Sequence, residues 1–192
     1  MLQLADYIVA PTAGMREIMS EFTDKGITVI PDPYEYEVRE PHANGPRKLW
    51  FGHNVNLKAI EPFMALENLK VVTGPTVPPG CLPWSQQAMP SYFHDSNIAL
   101  FPALETDYHK TNNRMINAIN AGLFPICDPH PAYEDFRDVA WTSDIRTGLR
   151  FAKENSEDLN ALVAEAQAIV EMKYSPAYVG SIWKELIDEI VA

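Results

Sequence analysis

Short apolar runs alternate with amphipathic stretches along most of the chain. Tyr7-Ile8-Val9-Ala10 reads as a strand, and Thr12, just after Pro11, as a helix N-cap. Met15, Ile18, Met19 and Phe22 then fall on one helical stripe. Gly26 ends that segment, and Thr28-Val29-Ile30 predicts a second strand. Pro31-Asp32-Pro33 forbids continued regular structure, so the stretch to Pro46 reads as loop. Leu49-Trp50-Phe51, closed by Gly52, predicts a third strand. A helix over 55–66 follows, then the strand Leu69-Lys70-Val71-Val72. Residues 74–83 are rich in Gly and Pro and read as loop, and 84–93 as helix. Asn97-Ile98-Ala99-Leu100-Phe101 has almost no polar alternation, as expected of a strand buried on both faces. A helix over 111–121 is stopped by Gly122. Phe124-Pro125-Ile126-Cys127 predicts the next strand, with its proline near the start. A short helix over 131–136 and an edge strand Val139-Ala140-Trp141 complete this part.

From Ser143 onward the pattern is helical. Leu159, Leu162, Val163, Ala166, Ile169 and Val170 make one apolar stripe. Ser175-Pro176 is a strong helix start, an N-cap followed by proline at the first helical position. Val179, Ile182, Trp183, Leu186, Ile187 and Ile190 continue at helical spacing.

Strand–helix alternation of this kind predicts an α/β fold: a doubly wound, mostly parallel Rossmann-like sheet with helices on both faces and extra C-terminal helices. The 192 residues suit one such domain, spanning 1–192. Sheets of this type bind ligands in the crevice at the carboxyl ends of their strands. The loops after Phe51, Val72, Phe101 and Cys127 are therefore where a site is expected.

Composition narrows the function classes. Fifteen basic residues against twenty-six acidic ones give a net charge of −11, which speaks against a general nucleic-acid binder. No apolar run approaches the roughly 20 residues of a membrane span. The first residues lack the basic and apolar regions of a signal peptide, so a cytoplasmic location is the expectation. Cys81 and Cys127 read as buried thiols of a reducing compartment. The tryptophans read as packing residues rather than a stacking platform. The five histidines show no metal-ligand spacing, and Walker A, Gly-x-Gly-x-x-Gly and Gly-x-Ser-x-Gly patterns are all missing from the sequence.

Three stretches carry candidate chemistry. Gly52, followed by His53, permits close approach of backbone to a ligand, or simply makes a tight strand-to-helix turn. Lys110, Thr111, Asn112, Asn113 and Arg114, with His109 before them, gather at a predicted helix start. Cations oppose the helix dipole there unless an anion lies between them, and a diphosphate fits that description. The alternative is a solvated helix start whose cations pair with Glu105 or Asp107. Asn117 lies one turn beyond Asn113 on the same face, suited to a ribose hydroxyl, a base edge or plain packing.

Taken in order, these residues resemble the C-terminal, donor-binding domain of GT-B glycosyltransferases, in particular the retaining group 1 enzymes. Ala5-Asp6-Tyr7-Ile8-Val9-Ala10-Pro11-Thr12 looks like that family's leading strand and helix start, and Val29-Ile30-Pro31-Asp32-Pro33 like its V-I-P-N/D segment. Leu49-Trp50-Phe51-Gly52 with Lys58 looks like its G-R-x-x-x-x-K element, with His53 in place of the arginine. Ile98-Ala99-Leu100-Phe101-Pro102 looks like its D-I-x-L-x-P strand. The stretch from Lys110 to Ile126 looks like K-S-N-N-R-x-x-E-A-x-A-x-G-x-P-V and is the most specific piece. Where many members carry two glutamates eight residues apart, for the transferred sugar and the ribose, this chain has His109 and Asn117.

The resemblance implies binding of a nucleotide diphosphate sugar, with no further cofactor or metal, and transfer of a hexose to an acceptor hydroxyl. Gly52, His53, Lys58, His109, Lys110, Thr111, Asn112, Asn113, Arg114 and Asn117 are the implied donor contacts. It also implies an N-terminal acceptor domain, or a partner chain, against which the helix over 175–192 packs. Without it, uncovered apolar surface there is expected to drive dimerisation. The substituted glutamates leave an alternative: a non-catalytic nucleotide or sugar-phosphate binding domain acting as a sensor or subunit.

Overall fold

Two apolar layers organise the computed structural model, which describes residues 4–104 and 111–191. Strands β3 (Lys48–His53), β4 (Leu69–Gly74), β5 (Leu82–Pro83), β6 (Ile98–Phe101) and β7 (Phe124–Cys127) form one sheet in the order β5-β4-β3-β6-β7. Every pairing in it is parallel. The two-residue side-chain period divides the strands between two cores. Leu49, Phe51, Val72, Ala99, Phe101 and Cys127 face a core that includes α3 (Met89–His94) and α4 (Asn113–Asn120). Trp50, Val71, Ile98, Leu100, Phe124 and Ile126 face the other, with α2 (Leu57–Ile60) and α5 (Ile145–Glu154). Helix α6 (Leu159–Tyr174) contributes Leu159 and Val163 to the second core and Ala166 and Val170 to the first. The expected doubly wound sheet, covered on both faces, is present.

The chain runs from β3 outward through β4 to β5, then crosses back to β6 on the other side of β3. Helix α2 after β3 and helix α4 after β6 lie on opposite faces, so the topology switches between β3 and β6. These two strands pair only at Lys48↔Ile98 and Leu49↔Ala99. Beyond that point their carboxyl ends separate, and the carbonyl of Phe51 is left to a side chain.

Several local expectations change. β1 (Ile8–Ala10) and β2 (Ile27–Val29) do not join the main sheet; they form their own parallel pair. Thr12 caps α1 (Ala13–Ser20) as expected, its Oγ1 accepting from the Met15 N–H at 3.1 Å. The predicted helix over 55–66 breaks into a 3-10 turn at Asn54–Asn56, the short α2, and a second 3-10 turn at Glu61–Phe63. Pro62 lacks the amide hydrogen a continuous helix needs there. The predicted helix over 84–93 starts only at Met89, and the loop before it contains β5. Trp141 makes a single parallel bridge to Ile126 instead of an edge strand. Residues 131–136 form a 3-10 helix, and Gly122, at φ 84°, stops α4 as its sequence signal predicts.

The loop over 31–46 is held by side-chain amides and an imidazole. Asn117 Oδ1 accepts from the Glu35 N–H at 2.8 Å and the Tyr36 N–H at 3.3 Å, while Asn120 Nδ2 donates to the Tyr36 carbonyl at 3.1 Å. Gln167 Nε2 donates to the Glu40 carbonyl at 2.7 Å and reaches the Ile119 and Asn120 carbonyls at the end of α4. His42 Nδ1 bonds the Gly122 carbonyl at 2.8 Å, and Asn97 Nδ2 donates to the Ala43 carbonyl at 2.6 Å. These bonds satisfy backbone groups that would otherwise be buried unpaired. They also place Glu35 and Tyr36 over the carboxyl end of the sheet.

Candidate functional site: a cleft at the topological switch

A cleft of about 620 Å³ opens at the carboxyl ends of β3 and β4. An edge-on aromatic row underlies one side: Tyr36 on Phe93 at 5.4 Å, Phe93 on Phe51 at 5.3 Å, and Phe51 on Phe101 at 6.2 Å between ring centroids. Gly52, His53, Arg114, Glu35, Thr73 and Trp84 bring polar or aromatic groups to its walls.

Arg114 sits in the first turn of α4 and fills the gap between β3 and β6. Its Nη1 donates to the Phe51 carbonyl at 2.8 Å. The guanidinium carbon lies 5.9 Å from the Trp50 ring centroid and 5.7 Å from that of Phe101. Among the described residues no carboxylate pairs with it. Gly52 makes this placement possible: a Cβ there would stand 2.8 Å from Arg114 Nη1 and 3.2 Å from the Trp50 ring. A partly buried cation at a helix N-terminus, against the dipole and without an acid partner among the described residues, is an environment that favours a bound anion.

The other implied contacts fall into three groups. His53 is exposed on the cleft wall, and its Nδ1 accepts from the Val55 N–H at 3.3 Å. Asn113 lines the cleft and donates from Nδ2 to Glu35 Oε1 at 2.9 Å. Asn117 also borders it, but its amide is engaged within the chain: Oδ1 on the 35–36 backbone, Nδ2 on the Asn113 carbonyl at 2.9 Å and on Asn113 Oδ1 at 2.5 Å.

Thr111, Asn112 and Lys58 lie elsewhere. The Thr111 side chain bonds the Asp32 carboxylate, whose pKa burial raises against that bond. Asn112 is buried and donates to the Tyr174 hydroxyl at 2.8 Å. Lys58 is exposed on α2 and is not among the residues that border the cleft. His109 and Lys110 lie outside the described residues.

Three cleft residues had no signal in the sequence. Trp84 follows the edge strand β5 and is 49% exposed, with its backbone N–H on the Thr73 carbonyl at 2.9 Å. Tyr36 bonds the Trp84 side chain, while burial, and secondarily Glu35, raises the tyrosine pKa. Glu35 is the only carboxylate among the described residues that border the cleft. All three come from segments that read as featureless loop or helix start. Their roles depend on contacts across many residues of sequence.

Of the expected buried thiols, Cys127 is buried and Cys81 only half-buried; both are free, and burial pushes the Cys127 thiol far up. Among the described residues no group of three or more His, Cys, Asp and Glu side chains is placed to hold a metal ion, and no helix is long and apolar enough to cross a membrane.

No protein-family model matches the chain, and no curated protein matches it in sequence. Solved structures match its fold over nearly its whole length. Sucrose-phosphate synthase from Thermosynechococcus elongatus superposes with a TM-score of 0.74 at 10% identity, covering 97% of this chain and 59% of its own. HepE of Anabaena, solved with UDP and glucose, gives 0.74 at 9% identity, covering 97% of this chain and 64% of its own. TarM of S. aureus, in a complex containing UDP, gives 0.68 at 10% identity, covering 94% and 43%. The chain thus spans less than two thirds of the length of each of these structures. In its topology, its cleft at the switch point and these superpositions, this chain has the fold of a GT-B glycosyltransferase domain.

Proposed function

We propose that the chain is the donor-binding part of a glycosyltransferase that moves a hexose from a nucleotide diphosphate sugar to an acceptor hydroxyl. The observation that carries this reading is Arg114: a cation without an acid partner among the described residues, set in the gap between β3 and β6 at the N-terminus of α4. A diphosphate bound there takes the positive end of the helix dipole and the guanidinium as its counter-charges. As the bond from sugar to phosphate breaks, negative charge grows on the leaving diphosphate, and Arg114 is placed to stabilise it. Lys110, four residues earlier in sequence, is the second cation of the proposal. Trp84, exposed at the rim of the same cleft, is the stacking surface of the proposal for the base. The structures solved with UDP share this fold, which is consistent with the reading. The acceptor site belongs, in this reading, to a further domain or partner chain.

One observation favours a second reading, a nucleotide or sugar-phosphate binding domain without catalysis. The Asn117 amide, expected on the ribose, is engaged by the loop over 31–46 and by Asn113. Calorimetric titration with UDP, GDP and ADP tests both. One diphosphate is expected to bind in the micromolar to low-millimolar range, and Arg114→Ala to weaken it at least tenfold, the cost of losing one charge-assisted contact. No binding by the folded chain overturns the donor reading and the nucleotide form of the second. Binding without any sugar transfer, after an N-terminal acceptor half is supplied, favours the second.

A further inference from the structure

Helix α4 starts without the cap its sequence supplies. Asn112 stands at the N-cap, a residue type that ordinarily turns its side-chain oxygen onto an N–H of the first turn. Thr12 does so for α1 and Asp144 for α5, each from an extended backbone and each accepting from the residue three ahead. Asn112 does not: its backbone lies at φ −87° and ψ 7°, and no side-chain bond caps the helix. Among the described residues, none accepts from the backbone N–H groups of Asn113, Arg114 or Met115. These are the amides that a helix offers to an anion at its N-terminus.

The cause lies at the end of α6. Tyr174 is 4% exposed, with its ring stacked on Phe136 at 5.8 Å between centroids. Its hydroxyl donates to Asp135 Oδ2 at 2.6 Å, and Lys173 Nζ donates to the other oxygen of that carboxylate at 2.9 Å. Burial, and next Asp135, pushes the tyrosine pKa up, so the hydroxyl keeps its proton and directs it to Asp135. Only its lone pairs remain for Asn112, which must therefore present its Nδ2, at 2.8 Å. That fixes which way the amide faces. Asn112 Oδ1, the atom a cap would use, is buried without a partner among the described residues. An unpaired buried oxygen is costly, and capping α4 would satisfy it; the bond to Tyr174 forgoes that. The Tyr174 carbonyl also accepts from the Tyr34 N–H at 3.0 Å, in the loop that brings Glu35 and Tyr36 to the cleft.

Resting on the donor reading above, we propose that Tyr174 is a positioning residue for the anion site: it holds Asn112 away from the cap of α4 and so leaves the first-turn amides to the anion beside Arg114. Tyr174 touches no ligand in this role and acts only through Asn112.

Calorimetry on the full chain with UDP, GDP and ADP tests this. Tyr174→Phe removes the hydroxyl and keeps the ring on Phe136. It frees Asn112 to cap α4, and the affinity for whichever of the three binds the native chain is expected to fall about tenfold, as loss of a charge-assisted amide bond implies. Adding Asn112→Ala to Tyr174→Phe takes the competing cap away and is expected to restore affinity to within about twofold of native. A merely structural tyrosine would give no such rescue. Thermal unfolding checks that both variants are folded. Unchanged affinity in Tyr174→Phe, or a loss that Asn112→Ala does not reverse, overturns the role of Tyr174 and leaves the donor reading intact. Failure of all three diphosphates to bind the native chain overturns the donor reading and this role together.

Discussion

Gly52 and Arg114 have to be understood as a pair. The guanidinium takes the place that a continued β3–β6 ladder would occupy, and it can do so only because residue 52 has no side chain. In Gly52→Ala the new methyl would meet the end of a flexible arginine, which can move, and the edge of the Trp50 ring, which must give a little. The fold is therefore expected to survive with a small loss of stability, on the order of 1 kcal/mol. Diphosphate affinity is expected to fall much more, about tenfold, because the cation leaves its seat. Denaturant unfolding and calorimetry on the same variant separate the two effects; equal, small changes in both would mean that the Arg114 position does not matter for binding. Cys127, by contrast, is buried, and burial pushes its thiol pKa up.

At the scale of elements, the long segment between β2 and β3 behaves as a fitted part of the fold without any helix or strand. Its anchors are Asn117 and Asn120 of α4, Gln167 of α6, Asn97 before β6 and its own His42. His42 also gives it a pH signature. Burial lowers the His42 pKa from its ordinary 6.5, only partly offset by its bond to the Gly122 carbonyl. As pH falls below 6.5, the unfolded chain takes up a proton that the folded chain resists, so stability must decline across that window. Urea unfolding at pH 7.5 and 5.5 is expected to show a larger loss for the native chain than for His42→Gln, which retains a donor for the Gly122 carbonyl. Identical losses would show that His42 titrates alike in both states.

At the scale of the whole molecule, apolar surface is unevenly covered. Helix α7 (Pro176–Val191) buries only Val179 among its residues, and Trp183, Ile187 and Ile190 are 43%, 52% and 38% exposed. Helix α1 beside the β1–β2 pair buries none of its residues. A two-stranded parallel pair has little independent stability. A partner against the C-terminal helix, as the family resemblance implies, would cover this surface. The isolated chain is expected to self-associate as its concentration rises, and Trp183→Glu with Ile187→Glu to shift it toward monomer in sedimentation velocity. A native chain that stays monomeric at high concentration would show that this surface tolerates water.

What the sequence by itself determined is what local periodicity and local stereochemistry can encode. The apolar runs at Leu49-Trp50-Phe51 and Ile98-Ala99-Leu100-Phe101 had to become buried strands, because only burial on both faces suits an unbroken apolar run. Thr12, Gly122 and Ser175-Pro176 marked helix ends through groups within a few residues of each other, and the stripe on α7 was legible for the same reason. Pro62 was equally local, though the apolar pattern around it masked the break it causes. Tertiary structure decided which strands share a sheet, and so set β1 and β2 apart. It decided that Asn117 serves a backbone 82 residues away rather than facing open cleft. It brought Glu35, Tyr36 and Trp84 to one cavity. A short polar side chain carries no periodic signal, and its partner is chosen by distances that exist only once the sheet has formed.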